Sequence, residues 1–331
     1  MNLSVVGGGS WGSAFALYLG RSRIRTRLWI REPEIFETAV RERENKVFLP
    51  GFRFPEEVTF HRSLEETVSS SPWVFVAVPS QFCRRIYSEM APHVLPDQVI
   101  VSLTKGIEKR TLCRMSEVMA DVFPPARAPK TGVLSGPSFS REVALGLPTA
   151  LVLASRDTAA AKRIQQRLSG PLLRIYTTGD VTGVEIAGAL KNVIAIAAGM
   201  NDSLRFGDNA RASLITRGLA EITRLGLKLG ARRETFFGLA GVGDLILTCA
   251  GSLSRNRFVG AELGRGKSLS QIIAGMKMVA EGIATTISTR RLAQREGVEM
   301  PISEQVYQIL SNGKDPKKAI ADLMLRSLKG E

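Results

Sequence analysis

The stretch LSVVGGGSWGSAFALYL, residues 3–19, constrains the fold more than any other part of the chain. An apolar, strand-like run enters a turn that holds Gly7, Gly9 and Gly12, and an apolar, helix-like run leaves it. The spacing G-x-G-x-x-G between a strand and a helix is that of a dinucleotide-binding unit. The first glycine allows the tight turn, the second lets backbone approach a pyrophosphate, and the third lets helix and strand pack closely. The pyrophosphate is expected at the helix N-terminus, against unpaired N–H groups and the positive end of the dipole. No Lys-Ser/Thr pair follows the glycines, which separates this turn from the P-loop of nucleotide hydrolases. The plain alternative is a strand-to-helix turn that binds nothing.

In such a unit the residue that meets the adenosine ribose lies at the end of the second strand. Here that strand reads RTRLWIRE and ends at Arg31, with Glu32 and Pro33 starting the next helix. An acid would hold the ribose hydroxyls of NAD, whereas arginine pairs with the 2′-phosphate of NADP. Arg31 therefore favours NADP(H) and leaves NAD(H) open; its alternative is a solvated arginine at a strand end.

Further strands are expected at WVFVAVPS, QVIVSLTKG, TGVLSG, TALVLAS and LRIYTT, with helices between most of them. Nearly continuous apolar strands alternating with helices imply a parallel sheet covered on both faces. From about Asp180 the pattern changes to long helical stretches such as GVEIAGALKNVIAIAAGM and ARASLITRGLAEITRLGLKLG. The expected fold class is α/β: a Rossmann-type parallel-sheet domain over residues 1–180, then an all-helical substrate-binding and catalytic domain over 181–331. The glycine-rich segment FGLAGVGDLILTCAGSLSRNRFVG reads as functional loops in the second domain.

Composition narrows the chemistry. The 331 residues include three cysteines (Cys83, Cys113, Cys249) and two histidines (His61, His93), with no metal-ligand spacing. No disulfide framework or metal site is expected, a reducing cytoplasm fits, and any catalytic base has to be Lys, Asp or Glu. The N-terminus lacks a basic flank and reads as a first strand rather than a signal peptide. No run of about 18 apolar residues suggests a membrane span. The net charge of +14 is spread along the chain, and its densest run, RSRIRTRLWIR, lacks an aromatic platform, so anionic small ligands are favoured over nucleic acid.

Lys191 stands out as the one charge between Ile186 and Met200. On a helix its neighbours three, four and seven residues away are Val184, Ala187, Gly188, Ile194, Ala195 and Ala198. A lysine desolvated by such a stripe loses proton affinity and can serve as a general base. A snorkelling lysine with a wet head is the equal alternative. Lys105 follows a strand at the carboxyl edge of the sheet, where such folds hold ligands. Gly136 and Ser138 lie in a second edge loop, and Asp244 lies among glycines. Ser254, Arg255 and Asn256 offer hydroxyl, guanidinium and amide to an anionic phosphate. Each of these loops also reads as ordinary turn chemistry.

In order along the chain, GGGSWG, NKVFLPG, AVPSQ, TKGIE, LSGPSFSREVALGLPTA, EIAGALKNVIAIAAGM, GDNARASLITRGLAEI, GLAGVGDLILTC, SRNR, VAEG and EMPI resemble the bacterial-type NAD(P)-dependent glycerol-3-phosphate dehydrogenases. The resemblance runs nearly end to end. It implies interconversion of dihydroxyacetone phosphate and glycerol 3-phosphate by hydride transfer, feeding phospholipid synthesis. By the same resemblance Lys191 is the proton acceptor, with Lys105 and Asp244 beside it. Lys105, Gly136, Ser138, Lys191, Asp244, Ser254, Arg255 and Asn256 contact substrate. Ser10, Trp11, Arg31, Lys105, Ser140, Arg255, Val279 and Glu281 contact the cofactor. Ser140 stands where the family commonly has Ala, and CAGSLSRN departs from the usual pattern after the cysteine. A homodimer is expected from the apolar stripes of the helical domain. The alternatives are another lysine-based Rossmann dehydrogenase, or a non-catalytic protein that senses NAD(P) or binds nucleic acid.

Overall fold

The computed structural model describes residues 2–125 and 128–327, so the extreme ends of the two expected domains lie outside the described residues. The chain divides into two compact units, Met1–Lys105 with Cys113–Glu185, and Gly106–Leu112 with Ile186–Glu331.

The first unit is built on strands β1 (Leu3–Val6), β2 (Thr26–Trp29), β3 (Glu44–Asn45), β4 (Leu49–Arg53), β5 (Val58–His61), β6 (Trp73–Val76), β7 (Val99–Ser102), β8 (Lys130–Ser135), β9 (Thr149–Ala154) and β10 (Leu173–Thr178). Eight of them form one sheet in the order β10-β9-β8-β7-β6-β1-β2-β5. Strands β1, β6 and β7 are buried along their whole length, as apolar strands covered on both faces must be. The chain leaves β1 towards β2 and β5, then returns to its other side at β6. The carboxyl end of β1 is therefore the switch point at which such sheets hold ligands, and the glycine turn sits there.

Two features depart from a uniformly parallel sheet. Strands β8 and β9 pair antiparallel, Val133 opposite Ala154, while every other neighbour in the sheet runs parallel. The connection between them holds the short helix Ser140–Leu145. The second feature is a small antiparallel ribbon, β3 with β4, inserted before β5. Strand β5 and this ribbon are absent from the strands expected on sequence, because VTFH and LPGFR carry no continuous apolar run.

The second unit is helical. Its centre is the helix Val181–Ser203, on which Ala187 to Ala198 are all buried. By length and hydropathy this helix could cross a bilayer, but 83% of its apolar window is buried in the protein, as befits a core helix. The unit border falls within it, five residues beyond the boundary expected at 180, because its first turns are tied to the first unit. There the Glu185 carboxylate accepts hydrogen bonds from Ser116 N (2.7 Å), Ser116 Oγ (2.6 Å) and Arg114 Nη1 (2.7 Å). Burial nevertheless pushes the Glu185 carboxyl above its ordinary value. The segment Gly106–Leu112 joins the helical unit because Ile107 and Leu112 enter its core, and Ser288 Oγ donates to the Ile107 carbonyl at 3.1 Å.

The glycine-rich segment expected as loops is mostly helical. A π-helical turn, Leu239–Gly243, leads into the helix Asp244–Ala250, and Arg255–Gly264 forms the next. Gly241 serves close backbone packing: a Cβ there would lie 2.1 Å from the Phe236 carbonyl oxygen.

Candidate functional site

In the first unit the glycine turn has distinct reasons for each glycine. Gly7 adopts φ +121°, and a Cβ there would meet the Ala77 carbonyl oxygen at 2.5 Å. A Cβ on Gly12 would meet the Gly7 carbonyl oxygen at 2.0 Å, so the third glycine allows the close helix–strand approach. Gly9 differs, since a Cβ there meets nothing within 4 Å. Its side of the turn is open, as a backbone that receives a pyrophosphate requires.

The helix Ser10–Arg21 that follows has no acidic residue in its first turn and no side-chain cap at Gly9. Its positive end is thus left to an outside anion. Trp11 packs on Phe15 with ring centroids 5.9 Å apart, and its buried indole N–H has no partner among the described residues. A buried donor without an acceptor is costly unless a ligand supplies one. These features fit a bound dinucleotide. Among the described residues, no group of three or more His, Cys, Asp and Glu side chains is placed to hold a metal.

Arg31 lies two residues past β2 and is half exposed, paired with Glu32 at 2.7 Å. Its guanidinium sits 5.9 Å from the ring centroid of Phe82, itself 42% exposed on the helix Ser80–Met90. Phe82, next to the quoted AVPSQ, escaped the sequence reading because a lone exposed phenylalanine carries no spacing signal. Lys105 and Ser138 converge on one atom: Lys105 Nζ donates to the Gly136 carbonyl at 2.8 Å and Ser138 Oγ at 3.0 Å. Gly136 adopts φ +131°, a conformation that favours glycine. Ser140 opens the helix that follows.

In the second unit Lys191 is only 6% exposed, so the snorkelling alternative does not describe it. Its amine donates to Asp244 Oδ1 and, at 2.8 Å, to Thr248 Oγ1. Thr248 in turn donates to the Asp244 backbone carbonyl at 2.6 Å, one helical turn back. Asp244 is completely buried. The apolar stripe on Lys191's own helix gave no hint of these partners, which come from the Asp244–Ala250 helix. The amine and the carboxylate are thus in direct contact inside the helical unit. Next to it, burial pushes the Cys249 thiol up to about 12, which makes it a packing residue rather than a nucleophile.

Ser254 caps the Arg255–Gly264 helix, its Oγ accepting from Arg257 N at 3.2 Å. Arg255 is exposed, with Nη1 donating to the Val279 carbonyl at 2.9 Å. The Asn256 side chain is buried and already engaged. Its Nδ2 donates to Asn192 Oδ1 at 2.8 Å and its Oδ1 accepts from Gly282 N at 2.9 Å. Glu281 begins the helix Glu281–Glu296 beside that contact. Thr248 and Asn192 were not singled out from sequence. The signal for Thr248 is its position four residues after Asp244 on one helix face.

Three comparisons bear on this geometry. Residues 2–161 match the family described as NAD-dependent glycerol-3-phosphate dehydrogenase N-terminus, and residues 180–321 match its C-terminus. The chain belongs to the NAD-dependent glycerol-3-phosphate dehydrogenase family. It is 49% identical to the glycerol-3-phosphate dehydrogenase [NAD(P)+] of Syntrophotalea carbinolica, covering 100% of this chain and 99% of that protein. It is 50% identical to that of Geobacter sulfurreducens, over 99% and 98% of the two chains. Among solved structures it resembles glycerol-3-phosphate dehydrogenase from Coxiella burnetii, with TM-score 0.94 and 37% identity over 98% of this chain and 99% of that one. As a member of the dehydrogenase family the chain is an oxidoreductase that uses NAD or NADP, with a Rossmann-type sheet unit and a helical unit.

Proposed function

We propose that this protein interconverts dihydroxyacetone phosphate and sn-glycerol 3-phosphate, with Lys191 as the proton donor and acceptor. The observation that carries the reading is the buried cluster of Lys191, Asp244 and Thr248 in a member of this family. When bound, the dinucleotide supplies or accepts a hydride at nicotinamide C4. In reduction the Lys191 ammonium gives its proton to the C2 carbonyl oxygen of dihydroxyacetone phosphate. In oxidation the neutral amine takes the proton from the C2 hydroxyl. Asp244 and Thr248 fix the direction of the amine and stabilise it while it is charged. Lys105 provides positive charge for the substrate oxygens, its head oriented by the Gly136 carbonyl.

Arg255 presents the rest of its donor fork to the substrate phosphate, and Asn256 lends at most its second amide N–H, since its other polar atoms hold Asn192 and Gly282. Phosphate binding then positions the reacting carbon. The turn of Gly7, Gly9, Ser10, Trp11 and Gly12 holds the pyrophosphate, and Ser140, Val279 and Glu281 complete the cofactor contacts. Arg31 supports a preference for NADP(H), because its exposed guanidinium over Phe82 suits a 2′-phosphate.

The helical unit exposes Phe237 (61%), Ile246 (50%), Leu253 (44%) and Phe258 (48%), which supports a homodimer. Three free cysteines suit the reducing cytoplasm, where the product would feed phospholipid synthesis. The test is NADPH and NADH oxidation followed by absorbance, with dihydroxyacetone phosphate against a panel of 2-oxo acids. Turnover with an oxo acid and none with the triose phosphate would overturn the reading.

A further inference from the structure

Resting on the dinucleotide role proposed for the glycine turn, we propose that Asn45 is a positioning residue for that turn, clamping the Gly8 carbonyl so that the next backbone N–H faces the pyrophosphate. Asn45 lies on β3, in the ribbon that interrupts the sheet, and is completely buried. Its Nδ2 donates to the Gly8 carbonyl at 2.7 Å and to Ser13 Oγ at 2.9 Å, and Ser13 Oγ itself reaches the Gly8 carbonyl at 3.2 Å. The backbone N–H of Phe48 donates to Asn45 Oδ1 at 3.0 Å, which fixes which end of the carboxamide is the donor. Two donors therefore converge on one carbonyl oxygen in the middle of the turn.

The consequence follows from peptide geometry. In a planar trans peptide the carbonyl of one residue and the N–H of the next point in opposite directions. With the Gly8 oxygen held towards Asn45, the Gly9 N–H is held towards the other side of the turn. Gly9 itself has open space, with nothing within 4 Å of a Cβ position. On its other flank Gly8 packs closely on Ile30, where a Cβ would lie 2.9 Å from the side chain. A freely rotating peptide in a run of three glycines would spend its donor in many directions; the clamp removes that freedom before any ligand arrives. Asn45 thus links the ribbon to the dinucleotide turn.

The test measures NADPH and NADH dissociation constants and steady-state kinetics for the wild-type protein, Asn45→Ala and Asn45→Asp. Asn45→Asp keeps the acceptor for Phe48 but cannot donate to Gly8, so it separates the clamp from the ribbon fold. Glu44→Gln is the control for the ribbon itself, since Glu44 Oε1 only accepts from Gly51 N, at 2.8 Å. We expect both Asn45 variants to bind the two dinucleotides about tenfold or more weakly. The factor should be the same for each, with kcat at saturating cofactor unchanged and Glu44→Gln near wild type. Unchanged affinity in a folded Asn45→Asp, or an equal loss in Glu44→Gln, overturns the clamp while leaving the dinucleotide role intact. A wild-type protein that binds neither dinucleotide overturns both.

Discussion

The amine of Lys191 and the carboxylate of Asp244 form a direct ion pair in the helical unit, with 7% and 0% of their side-chain surfaces exposed. A pair this dry is held by geometry as much as by charge, because neither partner can fall back on water. Replacing Asp244 by Ala removes the carboxylate from a buried amine that also donates to Thr248. Unfolding stability should fall by about 3–5 kcal/mol, measured by urea titration. Thr248→Val, which removes a single hydrogen bond, should cost about 1 kcal/mol. Equal stability of Asp244→Ala and wild type would mean that the pair does not form in solution.

The glycine turn separates structural from ligand-directed glycines. Gly12→Ala puts a methyl into the Gly7 carbonyl and should destabilise the first unit outright. Gly9→Ala meets nothing in the protein and should melt as wild type does, yet lose most of its affinity for both dinucleotides. Tight dinucleotide binding by Gly9→Ala would remove this turn from the cofactor site.

Cofactor preference rests on Arg31. Arg31→Ala should raise the KM for NADPH by about tenfold or more, through the lost charged hydrogen bonds to phosphate, while leaving that for NADH nearly unchanged. Equal changes for both cofactors would show that Arg31 does not read the 2′-phosphate.

How much of this was legible in the sequence depended on whether a residue's partners lie on its own element. The turn at Gly7, Gly9 and Gly12 was readable because strand, turn and helix are contiguous. The burial of Lys191 was half readable, since its own helix supplies an apolar stripe. Asp244 and Thr248 arrive from another helix, and only the family resemblance connected Asp244 with the lysine. The segment after Gly238 reads as functional loops on its glycines, but Gly241 is needed for close contact with Phe236 inside a helical stretch. Both its chemistry and the family resemblance place Asn256 on the substrate, and the structure spends most of that chemistry on Asn192 and Gly282. Asn45 lies in the quoted NKVFLPG, but its role was not legible there, because its partner is a backbone carbonyl 37 residues away.

A pH effect on stability comes from Glu221. Its buried carboxylate accepts from the backbone N–H groups of Ile302 and Ser303, at 2.6 and 3.2 Å, at the start of the Pro301–Asn312 helix. Those bonds favour the charged form, but desolvation dominates and pushes the carboxyl up to about 7. Below pH ~4.5 the group is protonated in both the folded and the unfolded chain. Between that pH and 7 the unfolded chain releases the proton first, so stability falls as pH rises, by roughly 3 kcal/mol in all. Glu221→Gln should flatten this part of the stability-against-pH curve measured by chemical denaturation. A Glu221→Gln curve with the same slope as wild type would assign the effect elsewhere.

The most direct measurement compares Lys191→Ala with wild type in dihydroxyacetone phosphate reduction, alongside the dinucleotide dissociation constant of each. Loss of a positioned proton donor should slow turnover by about 10²–10⁴-fold while dinucleotide affinity stays as it was. Wild-type turnover in Lys191→Ala would contradict the assignment of the proton to this lysine.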